Sequence, residues 1–217
     1  MEFLNQKIEE YVLEHTTNES KILQEINRET WAKVMQPRML SGHLQGRILA
    51  MFSKLIKPKN ILEIGTYTGY SALCLSEGLS KSDTLHTIEI NEEYYDIAKS
   101  HFQKSKYNKQ IKQYLGNALD IIPNIDSTFE LVFIDADKEN YLNYFNLIFD
   151  KINIGGYIIA DNVLWSGKVM NEKKDEETTV LDKYNKMINN NKNVDNILLP
   201  VRDGLMICQK ISRSKRK

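Results

Sequence analysis

The sequence predicts an α/β fold built on a seven-stranded, mostly parallel sheet. Three observations carry that expectation. From Lys59 onward, short apolar runs alternate with amphipathic helical stretches. The strongest run, Phe129-Glu130-Leu131-Val132-Phe133-Ile134, is nearly continuous in apolar residues, as suits a strand covered on both faces. The last two runs are separated only by residues 200–204, too few for a helix, so they close as an antiparallel hairpin.

The elements follow in order. Residues 1–57 precede any strand and form a helical cover. Phe3, Leu4, Ile8, Tyr11 and Val12 recur at helical spacing, and Ile22, Leu23 and Ile26 resume it after Asn18-Glu19-Ser20, to about residue 35. A third helix spans about 44–56 and stops at Pro58. Residues 58–211 form the α/β core. The strands are expected at 60–65, 84–90, 111–115, 129–134, 157–160, 194–199 and 205–211. Helices fall at about 70–79, 92–104, 118–122, 141–149 and 177–189. Residues 212–217 are a short basic tail.

Composition narrows the function classes. A chain of 217 residues suits one α/β domain and buries roughly 70% of its unfolded surface, so it needs no staple to fold. Lys plus Arg and Asp plus Glu both total 29, giving zero formal charge and no global attraction to nucleic acid or acidic membranes. Cys74 and Cys208 are not closely spaced, so they read as buried apolar residues and not as a zinc or disulfide framework. The opening residues alternate polar and apolar, unlike a signal peptide, and no run reaches membrane-spanning length. A cytoplasmic protein is expected. The histidines are scattered; only His43, close to residues 37–42, stands near candidate site residues.

The chemistry collects at strand ends, where ligands bind in open α/β sheets. The first strand runs into Gly65-Thr66-Tyr67-Thr68-Gly69 before a helix. Its glycines allow close backbone approach to a ligand. Their spacing departs from the dinucleotide fingerprint, which weakens a nicotinamide reading. Glu89 ends the second strand, where a carboxylate can accept hydrogen bonds from ribose hydroxyls. Glu63 lies inside an apolar strand and needs a hydrogen bond from backbone or from a cofactor amino group. Asn117 and Ala118 open a helix whose backbone N–H groups can meet an adenine edge.

The fourth and fifth strands deliver Asp135-Ala136-Asp137-Lys138 and Asp161-Asn162. If these strands are adjacent, Asp135, Asp161 and Asn162 converge as three hard oxygen donors, which suit Mg²⁺, Mn²⁺ or Ca²⁺. Such an ion would acidify a bound hydroxyl, and Lys138 is placed to take its proton.

These motifs resemble the cation-dependent O-methyltransferase family that includes catechol and caffeoyl-CoA O-methyltransferases. The resemblance runs from about residue 31 to 211. It is carried by Leu62-Glu63-Ile64-Gly65-Thr66-Tyr67-Thr68-Gly69-Tyr70-Ser71, by Phe133-Ile134-Asp135-Ala136-Asp137-Lys138-Glu139-Asn140-Tyr141, and by Gly155-Gly156-Tyr157-Ile158-Ile159-Ala160-Asp161-Asn162-Val163-Leu164-Trp165-Ser166-Gly167. It implies a Rossmann-like class I methyltransferase fold that uses S-adenosylmethionine and Mg²⁺, or Mn²⁺ or Ca²⁺ in its place. Asp135, Asp161 and Asn162 match the metal ligands, Lys138 matches the general base, and Asp135 serves in catalysis as well. Glu89 matches the ribose carboxylate, Glu63, Gly65, Tyr67 and Ser71 line the methionine part, and Thr66, Ile90, Asn117, Ala118 and Asp135 complete the cofactor set. Met39 and Ser41 match a segment that covers the cofactor, and Trp165 and Lys168 shape an acceptor pocket. The family also implies a homodimer.

The sequence departs from the catechol enzymes at Ile197-Leu198-Leu199-Pro200, which is apolar where they carry an acid for the second hydroxyl. A free catechol is therefore not the expected acceptor. The expected reaction is methylation of one hydroxyl of a small aromatic vicinal diol, such as a caffeoyl-type acceptor. One alternative is a hydroxylated uridine in tRNA, with Arg213 and Lys215-Arg216-Lys217 on phosphates. Another is a non-catalytic cofactor-binding module, against which the complete Asp135, Lys138, Asp161, Asn162 set speaks.

Overall fold

The computed structural model describes residues 5–212. By contacts the chain divides into two compact units, one ending at Asn117 and the other taking up the chain from Ala118. Seven strands form one sheet in the order β3-β2-β1-β4-β5-β7-β6.

The first unit opens with α1 (Gln6–Glu14), α2 (Lys21–Lys33) and α3 (Gly42–Ile56). Asn5 caps α1 by accepting the Lys7 amide. Thr16-Thr17-Asn18 separates α1 from α2, where the sequence predicts a break. α3 ends at Lys57, which turns into the left-handed region (φ 51°) ahead of Pro58. There follow β1 (Asn60–Ile64), α4 (Tyr70–Leu75), β2 (Thr84–Glu89), α5 (Glu92–Lys104) and β3 (Ile111–Leu115). β1 pairs parallel with β2, and β2 with β3. α4 is shorter than the 70–79 helix expected, because its last turn tightens into a 3-10 turn at Ser76–Gly78. A Cβ on Gly78 would stand 2.3 Å from the Ser53 backbone, so α3 lies directly against this turn.

The second unit contains α6 (Ala118–Ile121), β4 (Phe129–Ile134), α7 (Tyr141–Phe149), β5 (Ile152–Ala160), α8 (Glu176–Asn189), β6 (Val194–Leu199) and β7 (Leu205–Lys210). β4 and β5 pair parallel, and β6 and β7 form the antiparallel hairpin. β7 lies between β5 and β6 and pairs antiparallel with β5. β5 begins five residues earlier than the 157–160 core suggests, since Gly155 and Gly156 are carried within the strand beside a register shift between Phe129 and Leu131. Its core gathers Phe129, Phe133, Tyr141 and Tyr184.

Among the short elements not anticipated are 3-10 turns at Pro37–Met39 and at Trp165–Met170. Both lack the apolar periodicity by which longer helices announce themselves. Cys74 and Cys208 are free and buried, as expected. Among the described residues no helix is long and apolar enough to cross a membrane. The start of the first expected helix (Phe3, Leu4) and the tail residues Arg213 and 215–217 lie outside the described residues.

Candidate active site

The first unit places the nucleoside-type residues at the carboxyl ends of β1 and β2. Parallel register sets Glu63 opposite Thr87 and Ile64 opposite Ile88. The loop after β1 is folded by Gly65 (φ 96°), Tyr67 (φ 51°) and Gly69 (φ 85°). Gly65 N–H donates to the Ile88 carbonyl at 3.0 Å and Gly69 N–H to that of Thr66 at 2.9 Å. Tyr67 has a Cβ and bears the left-handed backbone at a steric cost. Its amide is repaid by Glu89: Tyr67 N–H donates to Glu89 Oε2 at 2.7 Å, while Asn91 N–H donates to Oε1 at 2.9 Å.

Glu89 is therefore a buried carboxylate aligned by two backbone donors, with lone pairs left for further donors. Burial pushes its pKa above the ordinary carboxylate value, and backbone donors, those of Asn91 and Tyr67 foremost, oppose that rise. Glu63 is fully buried, and Thr87 Oγ1 donates to its Oε2 at 2.5 Å. Thr66 Oγ1 lies 2.5 Å from Thr87 Oγ1, which links the glycine loop to that carboxylate. Ser71 and Ser41 are buried, whereas Met39 and Ile90 are exposed. Burial raises the Tyr67 phenol to about 12, and its hydroxyl donates to the Gln36 carbonyl at 3.0 Å. His43 instead bonds the Thr17 carbonyl at 2.8 Å, an ordinary link between α3 and the segment before α2.

The second unit brings the acid residues together. Ile134 pairs with Ala160, and Asp161 N–H donates to the Ile134 carbonyl at 2.9 Å. Asp135 and Asp161 thus leave neighbouring strands at the same level, roughly 4.8 Å of strand spacing apart. Asp161 is buried, and its Oδ1 accepts the Asn162 amide at 2.7 Å. Asn162 is left-handed (φ 58°), a conformation that asparagine tolerates better than most residues with a Cβ.

Lys138 is buried, and its Nζ donates to Asp135 Oδ1 at 3.2 Å and to the Tyr141 hydroxyl at 2.8 Å. Tyr141, on the first turn of α7, in turn donates to the Asp161 carbonyl at 2.9 Å. Full burial, together with the charges of Asp135 and Asp161, keeps this phenol protonated far above neutral pH, so it remains a donor to that carbonyl. Tyr141 ties the Asp135 and Asp161 strand ends through one oxygen. Its position in the sequence, inside an apolar helical run, gives no hint of this.

Trp165 and Lys168 fall in the 3-10 turn after Asn162. Trp165 lies with Lys138 Nζ 5.8 Å from its ring and Lys168 Nζ 5.7 Å from it, and Lys168 also pairs with Asp175 at 3.6 Å. Asp203, in the turn between β6 and β7, was not singled out from the sequence. Its Oδ1 accepts the Ser166 amide at 2.5 Å, its carbonyl accepts the Leu164 amide at 2.9 Å, and Lys138 is close enough to influence its charge. Burial raises its pKa above the ordinary aspartate value. An acid near the chain's end therefore does reach the Trp165 turn. Residues 197–200 are apolar, but the turn three residues further on carries it.

The donor chemistry fits a divalent cation. Among the described residues no three His, Cys, Asp or Glu side chains group at metal-binding spacing. The set at these strand ends is instead two carboxylates and one amide oxygen, hard ligands of the type Mg²⁺ and Ca²⁺ take.

The sheet order and the antiparallel seventh strand define a methyltransferase fold. An SAH-bound methyltransferase of Podospora anserina superposes with a TM-score of 0.88 and 26% identity, over 98% of this chain and 99% of that one. An O-methyltransferase of Bacillus cereus in complex with SAH superposes at 0.87 with 28% identity, over 94% and 97%. The chain belongs to the O-methyltransferase family, whose model matches residues 13–211. Caffeoyl-CoA O-methyltransferases of Petroselinum crispum and Arabidopsis thaliana are 33% and 32% identical to it, over 94% of this chain and 90% and 84% of theirs.

Replacing Tyr141 by Phe removes one hydroxyl and leaves the buried Asp161 carbonyl and Lys138 each short of a partner. Turnover is expected to fall about tenfold while the far-ultraviolet circular dichroism is unchanged. Wild-type turnover in Tyr141→Phe would show that Lys138 needs no such support.

Proposed function

We propose that the protein transfers a methyl group from S-adenosylmethionine to one hydroxyl of a small aromatic vicinal diol, of the caffeoyl type, with the help of a divalent cation. The observation that carries this reading is the Lys138 set: a buried amine held by Asp135 and Tyr141, with Tyr141 bonded in turn to the Asp161 carbonyl. The SAH carried by two of the solved relatives, and the caffeoyl-CoA enzymes among the sequence relatives, support the cofactor and the acceptor class.

S-adenosylmethionine supplies a methyl group on a sulfonium whose sulfur retains the electron pair when the carbon–sulfur bond breaks. Glu89, held by the Tyr67 and Asn91 amides, accepts the ribose hydroxyls, and the glycine loop admits the methionine part. Asp135, Asp161 and Asn162 would hold the cation, whose Lewis acidity lowers the pKa of a nearby hydroxyl. Lys138 takes the acceptor's proton. Asp135 and Tyr141 occupy two of the positions around its Nζ, which leaves a third for the acceptor oxygen. Trp165 offers an apolar face to an aromatic ring, and Asp203 offers a carboxylate for its second hydroxyl, which favours a diol over a simple phenol.

The homodimer expectation finds support on α3. Leu44, Ile48, Met51 and Leu55 form an uncharged stripe at four-three-four spacing, with Met51 59% and Leu55 71% exposed. That spacing is the seam by which helices pack on one another.

Incubation with labelled S-adenosylmethionine, Mg²⁺ and a panel of caffeoyl thioesters, free catechols and total tRNA tests the reaction. Label is expected on the dihydroxy aromatics, lost with a chelator and reduced at least a hundredfold in Asp161→Ala. Label confined to tRNA, or activity indifferent to the chelator, would overturn the acceptor or the metal assignment. Glu89 accepts the ribose hydroxyls best when ionised, and burial raises its pKa. Cofactor affinity should therefore fall as pH drops through a point above the ordinary glutamate range, and Glu89→Gln should bind about tenfold more weakly with that pH dependence abolished. Sedimentation should show a dimer that Met51→Glu converts to monomer; an unaltered assembly would place the seam elsewhere.

A further inference from the structure

We infer that His101 is a positioning residue for the cofactor: from α5 it fixes the glycine loop and thereby sets the affinity for S-adenosylmethionine. The inference rests on the cofactor reading above.

His101 is fully buried, and its Nδ1 lies 2.9 Å from the Thr68 carbonyl. A carbonyl only accepts, so Nδ1 carries the hydrogen. Its other nitrogen, Nε2, faces Glu29 of α2 at 3.5 Å, longer than a hydrogen bond. The shorter contact of this imidazole goes to the loop, and the longer one pairs it with Glu29.

Thr68 is the residue on which that loop turns. It stands between Tyr67 (φ 51°) and Gly69 (φ 85°), a departure from ordinary backbone on either side of it. The peptide joining Thr68 to Gly69 is held at both ends: its N–H donates to the Thr66 carbonyl at 2.9 Å and its carbonyl accepts from His101. α5 also closes the other side, since a Cβ on Gly69 would stand 2.6 Å from the Phe102 ring. The Thr68 side chain is secured as well, with Thr30 Oγ1 of α2 donating to Thr68 Oγ1 at 3.0 Å. Thr68 is completely buried, so bulk solvent does not reach its carbonyl beside the imidazole. A Thr68 carbonyl left without its donor would turn this peptide, and the neighbouring Tyr67 amide would lose its aim at Glu89. His101 thus acts on the ribose carboxylate through the loop, without touching the cofactor.

Asparagine and glutamine separate this role from simple packing. The Asn amide nitrogen falls near the place of Nδ1 and can still donate to Thr68; that of Gln falls near Nε2 and cannot. Titration calorimetry with S-adenosylhomocysteine is expected to give wild-type affinity, within about twofold, for His101→Asn and about tenfold weaker binding for His101→Gln. In the kinetics of His101→Gln, KM for S-adenosylmethionine should rise by the same factor, with kcat and the acceptor KM unchanged. Equal affinity in wild type and His101→Gln would overturn the inference, as would equal losses in both variants or a loss confined to kcat. Should His101→Gln melt out at assay temperature, Thr30→Val, which deletes only the hydroxyl on Thr68, decides: about threefold weaker binding supports the loop's role, and unchanged binding overturns it. A wild-type protein that binds no S-adenosylhomocysteine would instead defeat the cofactor reading itself.

Discussion

One backbone hydrogen bond sets the level at which the acid cluster is built: the Asp161 amide donating to the Ile134 carbonyl. It continues the parallel ladder of β4 and β5 one step past its last residue pair, so the two aspartates leave the sheet side by side. A slip of one residue in this register would turn Asp161 to the opposite face of the sheet. The register is fixed by packing, because Phe129, Val132, Phe133, Ile158 and Ile159 are all buried and each must fit its own place in a close-packed layer on one face or the other. Each buried side chain of this size contributes about 1.5–3 kcal/mol. The core thus positions the chemistry, and the acids, which burial penalises, add little to holding the strands in place.

Tyr141 and Lys138 complete that placement from outside the sheet. The tyrosine is anchored on α7, packs edge-on against Tyr184 of α8, and spends its hydroxyl on the Asp161 carbonyl and on Lys138. A lysine on an exposed loop would sample many rotamers and lose up to about 2 kcal/mol of side-chain entropy on binding a substrate. Here the structure has already met that cost, which is the sense in which the amine is preorganised.

Much of this was legible in the sequence. The strands could be read because nearly continuous apolar runs between helices have few alternatives in a parallel sheet. Asp135, Asp161 and Asn162 could be read because they fall immediately after two of those runs, and the position of a strand end follows from the run itself. Three kinds of feature were not legible. Tyr141 and His101 act through partners far from them in sequence or across elements, and a buried aromatic or imidazole in an amphipathic helix looks the same whether or not its polar atom has a task. Asp203 could not be placed because it belongs to a turn, whose path depends on how β7 inserts beside β5. The Thr87 hydroxyl on Glu63 could not be read either, because Thr87 stands opposite it on β2, and strand register is not readable from one strand alone.

The distribution of backbone strain gives these placements a common cause. Tyr67, Asn162, Trp165 and Ser166 are non-glycine residues in the left-handed region, and each lies in a segment after β1 or β5 that itself holds candidate site residues. Glycine would relieve the strain at each, but at the cost of the side chain: the Tyr67 hydroxyl on Gln36, the Asn162 amide oxygen, the Trp165 ring. Such residues persist only where the surroundings over-determine them. At Tyr67 the determinants are the Glu89 carboxylate in front and the His101-held peptide behind; at Asn162 and the Trp165 turn they are Asp161 Oδ1, the Asp203 carboxylate and the Gly204 carbonyl. In both units a carboxylate is what holds the strained amide, and that carboxylate is a residue proposed for binding or, in Asp203, one offered to the acceptor. Ligand recognition and loop conformation therefore draw on the same oxygens, so protonating or removing any of them should disturb loop shape and binding together.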